Sequence, residues 1–240
     1  MKFLHLTYAE VIARLEELAN PEKIEFKRKK FGVLANNSLG VMHSDIKPIA
    51  QAIGRNDAMA LELFDGEIYE GRLLCSKIFQ PKNVTSQLAE KWVKTFENWE
   101  ICDSFCMGLI AKSPLAVAKI KEWVQREAEF ERRAGFAVMA AYCMGDKKAD
   151  NSIYESFLPI IETSAQDDRV YGKKAVHWAL RSVGKQNIAL KEAAIACSKR
   201  LLEFQSESKS AVWIGKDALR ELGGEKPNVL DYPRHIYRLS

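Results

Sequence analysis

What the sequence lacks narrows it quickly. No uninterrupted apolar run approaches the roughly 20 residues that a membrane-spanning helix needs. The opening stretch "MKFLHLTYAEVIARLEELANPEK" turns amphipathic and acidic too early for a secretory leader. Both absences lead us to expect a cytoplasmic protein. Cysteine is sparse: Cys75, Cys102, Cys106, Cys143 and Cys197 are odd in number, scattered, and set in apolar helical patterns. Buried reduced thiols are distributed in this way, and a disulfide framework is not. Only Cys102 and Cys106 lie close together, with no histidine or second pair nearby, so neither a metal nor any other cofactor is expected. Sustained period-2 alternation between hairpin turns is also missing, which argues against a sheet.

What is present is helical periodicity. With 47 % hydrophobic and 28 % charged residues over 240 positions, the chain can bury a substantial core. "TYAEVIARLEELA" (7–19) repeats apolar residues at three- and four-residue spacing, Thr7 and Glu10 form a capping-box pattern, and Asn20-Pro21 is expected to end this first helix. Helices are also expected over 44–54, capped by Ser44/Asp45 and stopped at Gly54, over 57–66, and over 68–79 before Pro81. Eight further helical stretches follow to about residue 222. "EGRLLCSKIF", "EICDSFCMGLI", "ERRAGFAVMAAY", "GKKAVHWALRSVG" and "GKDALREL" each set small and charged residues ahead of an apolar helix, with starts about 30 to 45 residues apart. That spacing fits a HEAT- or armadillo-like α-solenoid. From periodicity alone, an irregular helical bundle fits as well.

Two local features stand out. In "FENWEICDSFC" (96–106), Trp99 precedes Asp103 by one helical turn, so indole and carboxylate share a face within an apolar stretch. Charge is also uneven: residues 1–168 carry 22 Lys+Arg against 25 Asp+Glu, and residues 169–240 carry 14 against 7. A basic C-terminal third is compatible with a phosphate-backbone partner, and equally with a solvated lysine-rich face. The run "KRKK" at 27–30 is a second, weaker basic spot.

"LFDGEIYEGRLLCSKIFQP", "WVKTFENWEICDSFC", "FERRAGFAVMAAY" and "YGKKAVHWALRSVGKQN", in this order between about residues 45 and 220, resemble the AlkD-like DNA alkylation repair family, the HEAT-like repeat alkylpurine DNA glycosylases. The resemblance implies an all-α HEAT-like helical repeat solenoid, one domain over 1–240 with a concave basic groove; Pro227 and Pro233 themselves lead us to expect an extended tail over about 227–240. The resemblance further implies a monomer acting on double-stranded DNA that contains alkylated bases. Matched position by position, it points to Trp99, Asp103, Arg133 and Trp178 as the catalytic set, with Arg132 as the competitor for Arg133. Lys173, Lys174, Arg181 and Lys185 around Trp178 would clamp phosphates, joined by Lys216 and Arg220, with Arg234 and Arg238 in the tail.

The chemistry implied is hydrolysis of the N-glycosidic bond of 3-methyladenine or 7-methylguanine without a deep base-flipping pocket. Such a base already carries a positive charge and leaves neutral, so no strong general acid is needed and one carboxylate can serve where ordinary glycoside hydrolases use two. Each residue also has a plainer reading: Asp103 as a salt-bridge partner, Trp178 as core, Arg132 and Arg133 as a solvated pair. His177 has no acid nearby in the sequence to make it a catalyst, and Trp92, Trp123 and Trp213 read as packing residues. Two other functions stay open, a non-catalytic DNA-structure-binding protein and a protein-binding helical scaffold.

Overall fold

The computed structural model describes residues 6–145 and 149–224; the expected tail with Arg234 and Arg238 lies outside them. Every α- or β-type element among the described residues is helical, and the chain divides into two compact units, Met1–Pro114 and Leu115–Ser240.

The first unit opens with α1 (Tyr8–Glu17), whose capping box is as expected: the Glu10 carboxylate accepts the Thr7 amide at 2.7 Å and the Thr7 hydroxyl accepts the Glu10 amide at 3.3 Å. Asn20-Pro21 does more than end α1. The Asn20 side chain accepts the Lys23 amide at 3.2 Å, and Pro21 occupies the first helical position of α2 (Pro21–Phe31), where its missing N–H loses no bond. Reading the proline only as a stop hid this helix, whose apolar pattern is thinned by Lys23, Lys27, Arg28, Lys29 and Lys30.

Residues 33–42 form an irregular link gathered by one carboxylate. Glu70, fully buried on α5 (Tyr69–Ile78), accepts the amides of Leu39, Gly40 and Val41 at 2.9, 3.0 and 3.2 Å and the Ser38 hydroxyl at 2.8 Å. Gly40 has φ +78°, and a Cβ there would lie 2.1 Å from the Asn20 carbonyl oxygen, so only glycine fits. Then α3 (His43–Ile53) starts from Met42 and not from the expected Ser44/Asp45 cap, while α4 (Asp57–Asp65) is capped by Asn56.

After α6 (Ser86–Val93), α7 (Trp99–Gly108) lies so close to α5 that a Cβ on Gly108 would meet the Ser76 carbonyl oxygen at 2.6 Å. An aromatic cluster fixes the surroundings: Trp92 packs on Phe105 and Phe79 at 5.2 and 5.3 Å between ring centroids, and Phe105 on Phe96 and Phe64 at 5.4 and 5.7 Å. Each pair adds about 0.5–1.5 kcal/mol beyond the area it buries.

The second unit comprises α8 (Ala116–Trp123), α9 (Glu129–Gly145), α10 (Asn151–Glu155), α11 (Phe157–Ser164), α12 (Val170–Gly184), α13 (Ile188–Phe204) and α14 (Lys209–Leu222). α9 packs between α8 and α12, and α12 in turn on α13 and α14. A Cβ on Gly135 would lie 2.5 Å from the Val124 amide nitrogen, so α9 seats against the end of α8 through a bare backbone. All five cysteines are buried, and burial pushes the Cys197 thiol up to about 12, which keeps it protonated and inert. Trp92 and Trp123 are core residues as expected. Trp213 departs from that expectation and is 39 % exposed.

Candidate functional site

The Trp99–Asp103 pair is built by the start of α7. Asn98 caps the helix by accepting the Ile101 amide at 3.1 Å, and the same buried side chain donates to the Leu34 carbonyl at 2.8 Å and accepts from the Tyr69 hydroxyl at 3.1 Å. The register of α7 is thereby tied to α5 and to the link after α2. Trp99 and Asp103 are both half-buried, and they share a face as the spacing requires. The indole is held in place: its N–H donates to the Phe31 carbonyl at 2.9 Å, and its ring meets the Phe31 ring edge-on at 6.5 Å.

Between Trp99 and Asp103 sits a carboxylate that sequence reading passed over. Glu100 is buried, pairs with Lys27 at 3.0 Å, accepts the Tyr69 hydroxyl at 3.0 Å, and has His43 Nε2 at 3.4 Å. Lys27 also reaches the Val41 carbonyl at 3.4 Å. Burial first, and Glu100 second, push the Tyr69 phenol far above its ordinary value, so it remains a donor. The partners of Glu100 come from α2, α3 and α5, up to 73 residues away, and no local pattern announces such a contact. Two carboxylates on α7 thus have separate tasks: Glu100 fastens the helix from inside, and Asp103 lies on the half-exposed face beside Trp99.

In the second unit, α9 and α12 carry the remaining candidates. Arg133 is only 7 % exposed and donates to the Tyr171 carbonyl at 2.8 Å. Arg132 lies 3.4 Å from Asp167, an ion-pair distance without hydrogen-bond alignment at its Nε. Asp167 is also gripped by Arg169 at 2.6 and 2.9 Å. Burial raises the Asp167 carboxyl, but the Arg169 hydrogen bonds and the charges of Arg169 and Arg132 outweigh it and hold the group below its ordinary value. Both arginines are therefore moored to the start of α12, where Glu129 accepts the Tyr171 amide at 3.0 Å and Phe130 packs on the Tyr171 ring at 5.3 Å.

Trp178 is half-buried. It shares a part-exposed face of α12 with Lys174 and Arg181, and Lys185 follows at the helix end, the four spaced 4, 3 and 4 residues apart. The stripe is less basic than the sequence suggests, because Arg181 and Lys185 both pair with Glu221 of α14. Lys173 lies over the Trp213 ring at 5.4 Å; Lys174 and Lys216 are exposed; Arg220, 79 % exposed, pairs with Asp217.

His177 has the acid that the sequence did not show. Asp217 Oδ2 of α14 lies 2.9 Å from its Nε2, under Trp213 at 4.6 Å between centroids. That contact also lacks hydrogen-bond alignment. Burial and then Arg181 lower the His177 pKa, against the pull of Asp217 and Glu221, so the ring is neutral. Among the described residues no group of three His, Cys, Asp or Glu could hold a metal ion, and no helix is long and apolar enough to cross a membrane.

Comparison with known proteins fits this architecture. Among solved structures, the chain is similar to a protein described as one of a new family related to the HEAT-like repeat DNA glycosylases with affinity for branched DNA structures. The TM-score is 0.72 at 19 % identity, over 81 % of this chain and 83 % of that one. Identity at this level speaks for the fold, an all-helical HEAT-like repeat architecture as expected from the sequence. No curated protein matches the sequence. The family profile of the DNA alkylation repair enzymes matches residues 11–222, from inside α1 to the last residue of α14, and the chain belongs to that family.

Proposed function

We propose that this protein is an alkylpurine DNA glycosylase, which acts as a monomer on duplex DNA and hydrolyses the N-glycosidic bond of positively charged alkylated purines. The observation that carries the reading is the face of α7, where Asp103 and an indole held by the Phe31 carbonyl stand together, half-exposed, in a member of the DNA alkylation repair enzyme family. As the cationic base departs, positive charge develops on the deoxyribose. A carboxylate beside it stabilises that charge most where water is partly excluded. An indole face adds roughly 0.5–2 kcal/mol. Asp103 would also orient the water that captures the sugar cation. Fixing the Trp99 ring in advance means that no rotamer freedom is lost when substrate arrives. Arg132 or Arg133, Trp178 and the lysines of α12 and α14 would contact the DNA in this reading.

The test is release of 7-methylguanine and 3-methyladenine from methylated duplex DNA in single turnover. Asp103→Asn should reduce release by about 100-fold or more, the scale of removing one preorganised electrostatic group, with DNA affinity retained. Wild-type protein that binds DNA and releases no base would sink the enzyme reading. The second reading, a non-catalytic protein that recognises DNA structure, is favoured by one observation, the affinity for branched DNA in the description of the similar solved protein. It predicts tighter binding to a four-way junction than to a linear duplex of equal length, and no base release from either.

A further inference from the structure

Helix α2 carries aromatic rings on its solvent side. Phe26 and Phe31 are both exposed, and their rings meet edge to face at 5.5 Å between centroids and 87° between planes. Phe31 in turn meets Trp99 edge-on at 6.5 Å, so three rings run from α2 to the indole beside Asp103. A single exposed phenylalanine is ordinary; a row continuous with the candidate site is a candidate interface. Two lysines accompany the rings. Lys30 Nζ lies 5.1 Å from the Phe26 centroid and 5.7 Å from that of Phe31, and Lys23 Nζ lies 5.4 Å from the Phe26 centroid. Of the two acids on α2, Glu25 pairs with Arg28 at 2.8 Å and Lys29 at 3.9 Å, and Glu22 stands in the first turn, where it complements the helix dipole.

The helix that presents this face is held from inside. Lys27 is buried against Glu100 at 3.0 Å, and the Trp99 indole takes the Phe31 carbonyl at 2.9 Å. The chain leaves α2 through Gly32 at φ +65°, whose amide closes on the Arg28 carbonyl at 3.1 Å. The chemistry of the face selects its occupant. Because the rings stand nearly perpendicular, they offer separate faces and not the one apolar groove that a partner helix would need. Glu22, Glu25, Arg28 and Lys29 fill other exposed positions of α2, so it has no broad apolar side to lie in a bilayer. A nucleotide strand alternates a π-face with a negative charge, and so matches ring faces with cations beside them. Stacking covers the base faces of an intact duplex. Only an unstacked base can use the rings.

We propose that Phe26 and Phe31, with Lys23 and Lys30, form a stacking platform for an unpaired nucleobase and its flanking phosphates in DNA. The platform rests on the DNA-binding part of the function proposed above and not on base release. It is tested with the full chain, by measuring affinity for an intact duplex and for the same duplex with a short unpaired bulge. Phe26 is the ring to change, because Phe31 also touches Trp99. Phe26→Ala and Phe26→Leu should each weaken binding to the bulged duplex by about 5- to 150-fold, the range for one lost base stack. Phe26→Trp should keep wild-type affinity, and all three variants should bind the intact duplex as wild type does. Lys23→Gln/Lys30→Gln should flatten the slope of log K against log [salt] on the bulged duplex by about 1.4, taking about 0.7 for each phosphate of an unpaired strand. That variant keeps the test open if a Phe26 variant does not fold.

Unchanged affinity of Phe26→Ala for the bulged duplex, or an equal loss on bulged and intact DNA, overturns the platform and leaves the DNA-binding reading standing. Full affinity in Phe26→Leu with a loss in Phe26→Ala means apolar burial and overturns stacking, and an unchanged slope in the lysine variant overturns the phosphate contacts. Wild type that binds neither DNA overturns both the platform and the reading beneath it. Binding to phosphatidylserine vesicles that Phe26→Ala abolishes, without a selective loss on bulged DNA, assigns the face to an anionic membrane and overturns the nucleobase.

Discussion

The two units differ in net charge and much less in how their cations are paired. Met1–Pro114 has as many Asp+Glu as Lys+Arg, 15 of each, whereas Leu115–Ser240 has 17 against 21. By net charge the second unit is the one to meet a polyanion. Its cations, however, are extensively paired: Arg181 and Lys185 with Glu221, Arg132 and Arg169 with Asp167, Arg200 with Glu162 at 2.9 Å, Arg220 with Asp217. The neutral first unit pairs Arg28 with Glu25, Arg72 with Glu97 and Lys91 with Asp65, and gathers Lys27, His43 and Tyr69 on the single buried carboxylate of Glu100. What an anion meets is set by how charges pair across helices, and the residue count of a segment does not give it.

The largest effect should come from the buried ion pair of the first unit, Glu100 with Lys27. Glu100→Ala leaves the Lys27 ammonium, 5 % exposed, without its counter-charge, and the expected loss is about 3–5 kcal/mol in unfolding free energy by denaturant titration. Glu100→Ala combined with Lys27→Met should recover much of that, because an apolar pair needs no compensation. Equal destabilisation in the single and double variants would mean that the pair is not what fastens α7.

A smaller effect, in affinity, tests the other half of the comparison. Glu221→Gln releases Arg181 and Lys185 from their shared acid. If the α12 stripe meets phosphates, the salt dependence of duplex binding should steepen by up to about 1.8 in slope, and binding should tighten. An unchanged slope would show that the two cations are structural and that the C-terminal excess of positive charge is not a DNA contact.

Local order was legible in the sequence and long-range pairing was not. The Thr7/Glu10 box, the stops at Gly54 and Gly66, and the shared face of Trp99 and Asp103 follow from spacings of three and four residues, which a helix converts directly into neighbours. α2 was missed because Asn20-Pro21 serves as an end and a beginning at once. Glu100 with Lys27, Asp217 with His177 and Glu221 with Arg181 join residues 40 or more apart, and periodicity carries no information on which helix a polar side chain will meet.

A third effect concerns His177, where the second unit keeps a titratable ring neutral. Its folded pKa is lowered by burial and by Arg181, and that of an unfolded chain is about 6.5. Below about pH 6.5 the unfolded chain takes up a proton that the folded one resists, so stability should fall as pH drops from about 6.5 toward the folded value. His177→Gln removes that difference and should flatten the dependence of the melting temperature over this window, by about 1.4 kcal/mol for each unit by which the two values differ. If wild type instead gains stability on acidification, the 2.9 Å contact with Asp217 outweighs burial, and the second unit pairs this cation as it pairs its arginines.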